Sequence, residues 1–183
     1  MVQTENGALL MNEDKVDRTI SRLAHEIIER NEDLENLCFI GILRRGVPLA
    51  ERIRDKIELF TGTRLPCGKL DITLYRDDLS EPCDQPKYNG SEIGFSVVGK
   101  TVVLVDDVLY TGRTARAALD AVTAFGRPAK IQLVVLVDRG HRELPIRGDY
   151  VGKSVPTSKD EVISVKFPEF DGKTCVELKK LPK

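Results

Sequence analysis

Asp106 and Asp107 stand side by side, and shortly after them the chain reads Thr111-Gly112-Arg113-Thr114. The two acids close an apolar run, Val102-Val103-Leu104-Val105, which has the composition of a buried strand. Parallel α/β sheets place their ligands beyond the carboxyl ends of such strands. The threonines open a segment, Arg113 to Phe125, that reads as a helix stopped by Gly126 and Pro128. Gly112 permits close backbone approach, the amides at a helix start point outward, and the dipole there favours an anion. Two hydroxyls add further donors. This chemistry suits a phosphate held by the loop, with two carboxylates beside it for sugar hydroxyls or for Mg²⁺ reached directly or through water. Helix capping alone would not call for two adjacent acids.

A second cluster, Leu43-Arg44-Arg45-Gly46, follows another apolar run. An arginine beside a flexible glycine suits a doubly charged leaving group, and the plainer alternative is a charge pair at a helix start. A third motif misleads. Gly94-Phe-Ser-Val-Val-Gly99-Lys100-Thr101 matches the P-loop pattern letter for letter. A P-loop needs a strand before it and a helix after it, and this one leads straight into the strand at 101–106.

The elements that must carry these groups can be read from periodicity. Asn12 caps a helix with Glu13 and Asp14 in its first turn, and Val16, Ile20, Leu23, Ala24, Ile27 and Ile28 form its buried stripe. Arg18, Ser21, Arg22 and His25 lie on the other side. Leu37 to Leu43 reads as a strand, Val47 to Ile57 as a helix and Lys69 to Leu74 as a strand. Residues 76–99 read as a mobile loop or hairpin excursion rich in Asp, Gly, Pro and Ser. Lys130 to Val137 and Val162 to Phe167 complete the strands. Alternating strands and helices predict an α/β fold, a mostly parallel central sheet flanked by helices. The 183 residues are expected to form a single domain. Residues 1–11 and those after Phe167 carry no usable motif.

Composition removes several classes. A net charge of -1 gives no global basic field, so any nucleic-acid binding needs a local patch. Cys38, Cys67, Cys83 and Cys175 lack CxxC spacing and His25 and His141 are isolated, which argues against zinc. No apolar stretch reaches the length of a membrane span and no signal sequence opens the chain, so a cytoplasmic location is expected.

The stretch Val102 to Thr114 resembles the phosphoribosyl-pyrophosphate signature of type I phosphoribosyltransferases. From about Arg18 to Phe167 the chain is similar to the PyrR family, pyrimidine-operon attenuators with uracil phosphoribosyltransferase activity. The likeness rests on the stretches Arg22 to Asn31, Asp71 to Leu79 and Val137 to Arg147. It implies that fold, with a small hood and a flexible loop. It also implies that Asp106 and Asp107 contact the ribose hydroxyls, with Mg²⁺ entering with phosphoribosyl pyrophosphate. Val108, Leu109, Tyr110, Thr111, Gly112, Arg113 and Thr114 would complete the substrate loop, whose last four residues hold the 5-phosphate. Arg44 and Arg45 would belong to the pyrophosphate loop, Tyr75 and Arg76 to a lid, and Arg139 to the pyrophosphate or base side. Arg45, Tyr75, Arg76, Asp106 and Asp107 are the catalytic set so implied.

The likeness further implies binding of leader mRNA, under control of UMP and UTP, and a homodimer or larger homo-oligomer. Ser21, His25, Arg30, Arg142, Arg147 and Lys153 match the RNA-facing positions. Between Arg127 and Lys153 six basic residues face three acids, a local net of +3. Two other readings stay open: a regulator that binds RNA and nucleotide with negligible catalysis, and a purine-type phosphoribosyltransferase without an RNA role.

Overall fold

The computed structural model describes residues 3–4, 7–76 and 90–181. In chain order they form β1 (Gln3–Thr4), β2 (Gly7–Met11), α1 (Glu13–Arg30), β3 (Leu37–Ile42), α2 (Gly46–Thr61), β4 (Cys67–Leu70) and β5 (Thr101–Leu109). Then follow α3 (Arg113–Ala124), β6 (Lys130–Asp138), β7 (Tyr150–Ser154), β8 (Glu161–Lys166), α4 (Pro168–Asp171) and β9 (Cys175–Lys180).

The central sheet is parallel throughout, in the order β4-β3-β5-β6-β7. Alternation along each strand divides the core in two. Leu37 and Phe39 of β3, with Val103 and Val105 of β5, pack under α1 and α2. Cys38, Ile40, Val102 and Leu104 point the other way, against Ala115, Ala118 and Val122 of α3. The side chain of Asn12 caps α1 by accepting from the Lys15 amide at 3.0 Å, and Val16, Ile20, Leu23, Ala24 and Ile27 are its buried face. That burial contributes roughly 2 kcal/mol per large aliphatic side chain.

A second, antiparallel sheet, β1-β2-β9-β8, is built from the two ends of the chain. It forms the hood. The expected last strand of the main sheet, Val162 to Phe167, is β8 and belongs to this hood instead. The fifth parallel strand is β7, whose Gly152 and Lys153 hide its strand character. The expected strand from Lys69 to Leu74 ends early at Leu70, because Asp71 turns the chain: its Oδ1 accepts from the Thr73 amide at 2.9 Å and the Thr73 hydroxyl at 2.6 Å. The excursion expected at 76–99 lies in part, at 77–89, outside the described residues, and Cys83 with it. Its last residues, 91–100, lead directly into β5 with no helix between, so the P-loop pattern lacks its context.

Strand order makes the crevice. β3 and β5 are neighbours, yet the chain leaves β3 for β4 on one side and continues from β5 to β6 on the other. At such a switch point the two connecting loops separate and leave a gap beyond the strand ends.

Candidate active site

β5 outruns one neighbour and not the other. It pairs with β3 only as far as Val105, opposite Gly41, but with β6 as far as Leu109, opposite Asp138. Asp106 and Asp107 therefore sit within the strand, beyond the reach of β3, rather than in a loop after it. The gap on the β3 side is filled by Leu43 to Gly46. A Cβ on Gly46 would lie 2.3 Å from the Val105 carbonyl oxygen, so only glycine lets α2 begin this close to the acids. The Leu43–Arg44 peptide is cis. Arg44 is exposed and Arg45 half-buried.

Asp106 is nearly buried, and its Oδ1 accepts from the Asp107 amide at 3.0 Å. The Asp107 carboxylate accepts from the Val108 amide at 2.9 Å. Burial first, and then the charge of Asp107, push the Asp106 carboxyl well above the usual range, while Arg76 acts in the opposite direction. Asp107 is raised too, again by burial, with the charge of Arg45 among the opposing effects. A buried and a half-buried carboxyl thus lie within electrostatic reach of two arginines from separate loops.

Gly112 caps α3 in the left-handed region, at φ 93°, and the Thr111 hydroxyl accepts from the Arg113 amide at 3.3 Å. Residues 108–114, with Arg76 and Glu143, line a cavity of about 290 Å³. Arg113 is held sideways by Glu143 at 2.7 Å, and the Glu143 and Leu144 amides both donate to the Thr111 carbonyl. The start of α3 is consequently anchored to the loop that follows β6.

That loop, 139–147, is organised by two arginines. Arg142 donates to the carbonyls of Tyr110 at 2.6 Å, Ile146 at 2.8 Å and Gly140 at 3.3 Å, and to the Asp138 carboxylate. Arg139 is buried, donating to the Thr157 hydroxyl at 3.0 Å and to the carbonyls of Ser158 at 3.1 Å and Glu161 at 2.6 Å. Its guanidinium lies 4.0 Å from the centre of the Tyr110 ring, and His141 meets that ring edge-on at 5.8 Å.

The phosphoribosyl transferase domain family matches residues 10–172. The bifunctional protein PyrR of Acetivibrio thermocellus is 57% identical over 176 residues, 96% of each chain. That of Clostridioides difficile is 59% identical over 172 residues, 94% of this chain and 97% of its own. The chain belongs to the PyrR family of phosphoribosyltransferases. Among solved structures, the hypoxanthine phosphoribosyltransferase of Trypanosoma cruzi superposes with a TM-score of 0.73, over 97% of this chain and 98% of its own. That of Staphylococcus aureus gives 0.70, over 100% and 98%. At 16% and 19% identity these two establish the fold alone.

Set in that family, the residues expected to act together fall into two regions. Asp106, Asp107, residues 108–114, Arg45 and Arg76 share the crevice. Tyr75 precedes them in a short turn packed on the α3-side core. The RNA-facing candidates are more dispersed. Arg30 donates to the Asp149 carbonyl at 2.8 Å and covers the Tyr150 ring, at the start of β7. Farther along β7 lies Lys153, whose ammonium is held below its ordinary value by partial burial and by Lys15. Ser21 is half-buried, and His25 stacks on Phe60 of α2 with ring centres 4.2 Å apart. Arg147 is exposed, whereas Arg142 spends its donors on its own loop and on Tyr110 and Asp138 beside it. Among the groups near the site, Asp171 escaped sequence reasoning. It lies in α4, and its contact with Arg45 spans 126 positions, beyond any local pattern.

Proposed function

We infer that this chain transfers a phosphoribosyl group from 5-phosphoribosyl-1-pyrophosphate to uracil, yielding UMP and pyrophosphate. We infer also that it binds the leader mRNA of pyrimidine genes under control of uridine nucleotides. The observation that carries the catalytic half is the adjacent Asp106–Asp107 pair, within electrostatic reach of Arg45 and Arg76, with the helix start at Gly112 following it.

In this reading the amides and hydroxyls of Thr111 to Thr114 seat the 5-phosphate, and Val108 to Tyr110 form the wall beside it. Asp106 and Asp107 accept from the ribose hydroxyls. Arg44 and Arg45 face the pyrophosphate, while Tyr75 and Arg76 close over the reacting centre and exclude water. The C1–O bond to pyrophosphate breaks as a bond forms between C1 and uracil N1, whose proton passes to the departing pyrophosphate. Orientation and stabilisation of charge on the leaving group supply most of the acceleration, and no covalent nucleophile is needed. Among the described residues no three acidic, histidine or cysteine side chains cluster as a metal cage. Two carboxylates suit Mg²⁺ that arrives on the substrate and keeps its waters and phosphate oxygens. When bound, the metal neutralises charge on the pyrophosphate.

The loop held by Arg139 and Arg142 borders the base, where backbone groups can read the uracil edge. Ser21, His25, Arg30, Arg142, Arg147 and Lys153 are the proposed RNA-facing set, with a homodimer presenting the basic surface. The family relatives and the local positive charge support this half.

The catalytic reading is tested by incubating the purified protein with Mg²⁺, phosphoribosyl pyrophosphate and each base in turn. UMP formation is expected. Turnover of hypoxanthine or guanine without turnover of uracil would reverse the assignment. Leader-RNA affinity measured with and without UMP tests the regulatory half, and binding that ignores UMP would remove it.

A further inference from the structure

Arg45 is tied to the hood. Its Nη2 donates to both carboxylate oxygens of Asp171, at 2.9 and 3.2 Å, and its guanidinium lies 5.9 Å from the centre of the Phe170 ring. Its Nε is buried and has no hydrogen-bond partner among the described residues. A guanidinium is planar with donors on fixed edges, so a carboxylate gripping one edge sets the direction of the others. Asp171 is itself fixed: the Phe167 amide donates to its Oδ2 at 3.1 Å, and the Asp171 amide donates back to the Phe167 carbonyl at 2.8 Å. A second tie, Arg52 to Glu169 at 2.8 Å, joins α2 to α4 independently.

We propose that Asp171 is a positioning residue, which holds the Arg45 guanidinium so that its remaining donors are presented to the pyrophosphate of the substrate. This rests on the reading of residues 43–46 as the pyrophosphate loop. The hood then does more than cover the sheet. It sets the arginine before the substrate arrives, with one edge fixed by Asp171 and the half-exposed remainder left for an anionic oxygen.

The test compares steady-state kinetics of Asp171→Asn, Asp171→Ala, Arg45→Ala, the double variant Arg45→Ala/Asp171→Asn, and Glu169→Gln. Asn keeps an acceptor for the Phe167 amide, so α4 is preserved while the negative charge that grips Arg45 is removed. Asp171→Asn is expected to raise KM for phosphoribosyl pyrophosphate roughly tenfold, the scale of one charge-assisted hydrogen bond, with KM for uracil unchanged. Asp171→Ala should raise it at least as much. The double variant should be no worse than Arg45→Ala, and Glu169→Gln should match the parent. An unchanged or lowered KM in Asp171→Asn overturns the proposal, as does an undiminished effect in the Arg45→Ala background. An equal defect in Glu169→Gln would mean a merely structural role and also overturns it. If Arg45→Ala leaves that KM unchanged, the pyrophosphate-loop reading fails and Asp171 with it; if Arg45→Ala raises it and Asp171→Asn does not, only Asp171 fails.

Discussion

Arg142 donates to the main-chain oxygen of Tyr110 at 2.6 Å, fastening the loop that ends at Arg147 to the strand that carries the two acids. One arginine of the expected RNA-facing set therefore braces its loop against the end of β5, and its neighbour Arg147 is exposed to solvent. Arg142→Gln should remove several charged hydrogen bonds, lower stability by about 2 kcal/mol, and raise KM for uracil along with weakening RNA binding. Arg147→Ala should weaken leader-RNA binding about tenfold, flatten its salt dependence by about one unit, and leave UMP formation intact. Filter binding at several salt concentrations, beside a turnover assay, distinguishes the two. Equal losses of both activities in Arg147→Ala would move that residue into the active site or the fold.

The paired acids make the empty site costly. Both carboxyls titrate above the ordinary aspartate range, through burial first, so the folded chain binds their protons more tightly than the unfolded chain. The stabilisation this gives is complete below about pH 4 and is lost as pH rises through the elevated folded values. Asp106→Asn should remove the Asp106 share of that loss and leave the share of Asp107. The variant is expected to be more stable than the parent by about 1–2 kcal/mol at pH 8, with a smaller gain at pH 4, and to lose about a hundredfold in kcat/KM or more. Calorimetry at the two pH values checks the first part. A variant less stable than the parent at pH 8 would mean that Asp106 contributes through its hydrogen bond to the Asp107 amide rather than through strain of charge.

Arg139 joins three parts of the molecule: the Tyr110 ring, the end of β6 and residues 157–161 leading into the hood. Truncation to alanine would leave the Ser158 and Glu161 carbonyls without their donor and remove the cation from the aromatic face. A loss of about 3 kcal/mol is expected, with a fall in melting temperature of about 6–12 °C for a chain of this size. Arg139→Lys should recover only part of it, because an ammonium cannot reproduce the planar fork. Full recovery by lysine would show that charge alone suffices.

Much of this arrangement was legible from the residues, and what was not has physical causes. α1, β3, β5 and α3 announce themselves through periodic apolar positions, because their burial is one-sided or complete. The turn into α3 was legible because Gly112 and Thr111 act within a few positions of each other. β7 was hidden by Gly152, whose missing Cβ lets the Leu136 carbonyl and Thr19 of α1 come close. The hood strand Cys175–Lys180 does alternate, with Val176 inward, but Glu177 is buried as well. It is held by Lys166 and Lys173 at 2.9 Å each and its carboxyl is lowered to about 2. A buried acid reads as a surface residue until its partners are known. The same holds for Arg142 and Arg139, whose type suggests anion contact and whose donors are spent mostly on backbone carbonyls, with the Asp138 carboxylate and the Thr157 hydroxyl taking the rest. Asp171 carried no signal at all, since only the closed topology brings it to Arg45.

Gly46 offers the sharpest test of how the crevice is built. The start of α2 lies against β5 so closely that a methyl group at position 46 would meet the Val105 carbonyl oxygen at 2.3 Å and the Asp106 Cα at 3.3 Å. Both are backbone atoms in the centre of the sheet and cannot give way, so the helix start must move instead. Gly46→Ala is therefore expected to cost about 1–3 kcal/mol through overpacking. Because Arg44 and Arg45 precede it directly, the displacement carries them away from Asp106 and Asp107. Catalysis should suffer beyond the loss of stability, with KM for phosphoribosyl pyrophosphate raised and kcat lowered at temperatures where the variant remains folded. Gly62→Ala is the control: it also sits at an end of α2 but has open space around it, and its φ of 74° makes it costly for backbone reasons alone. It should lower the melting temperature without changing either Michaelis constant. Matching kinetic losses in the two variants would show that general loosening of α2, and not the spacing between Arg45 and the acids, governs turnover.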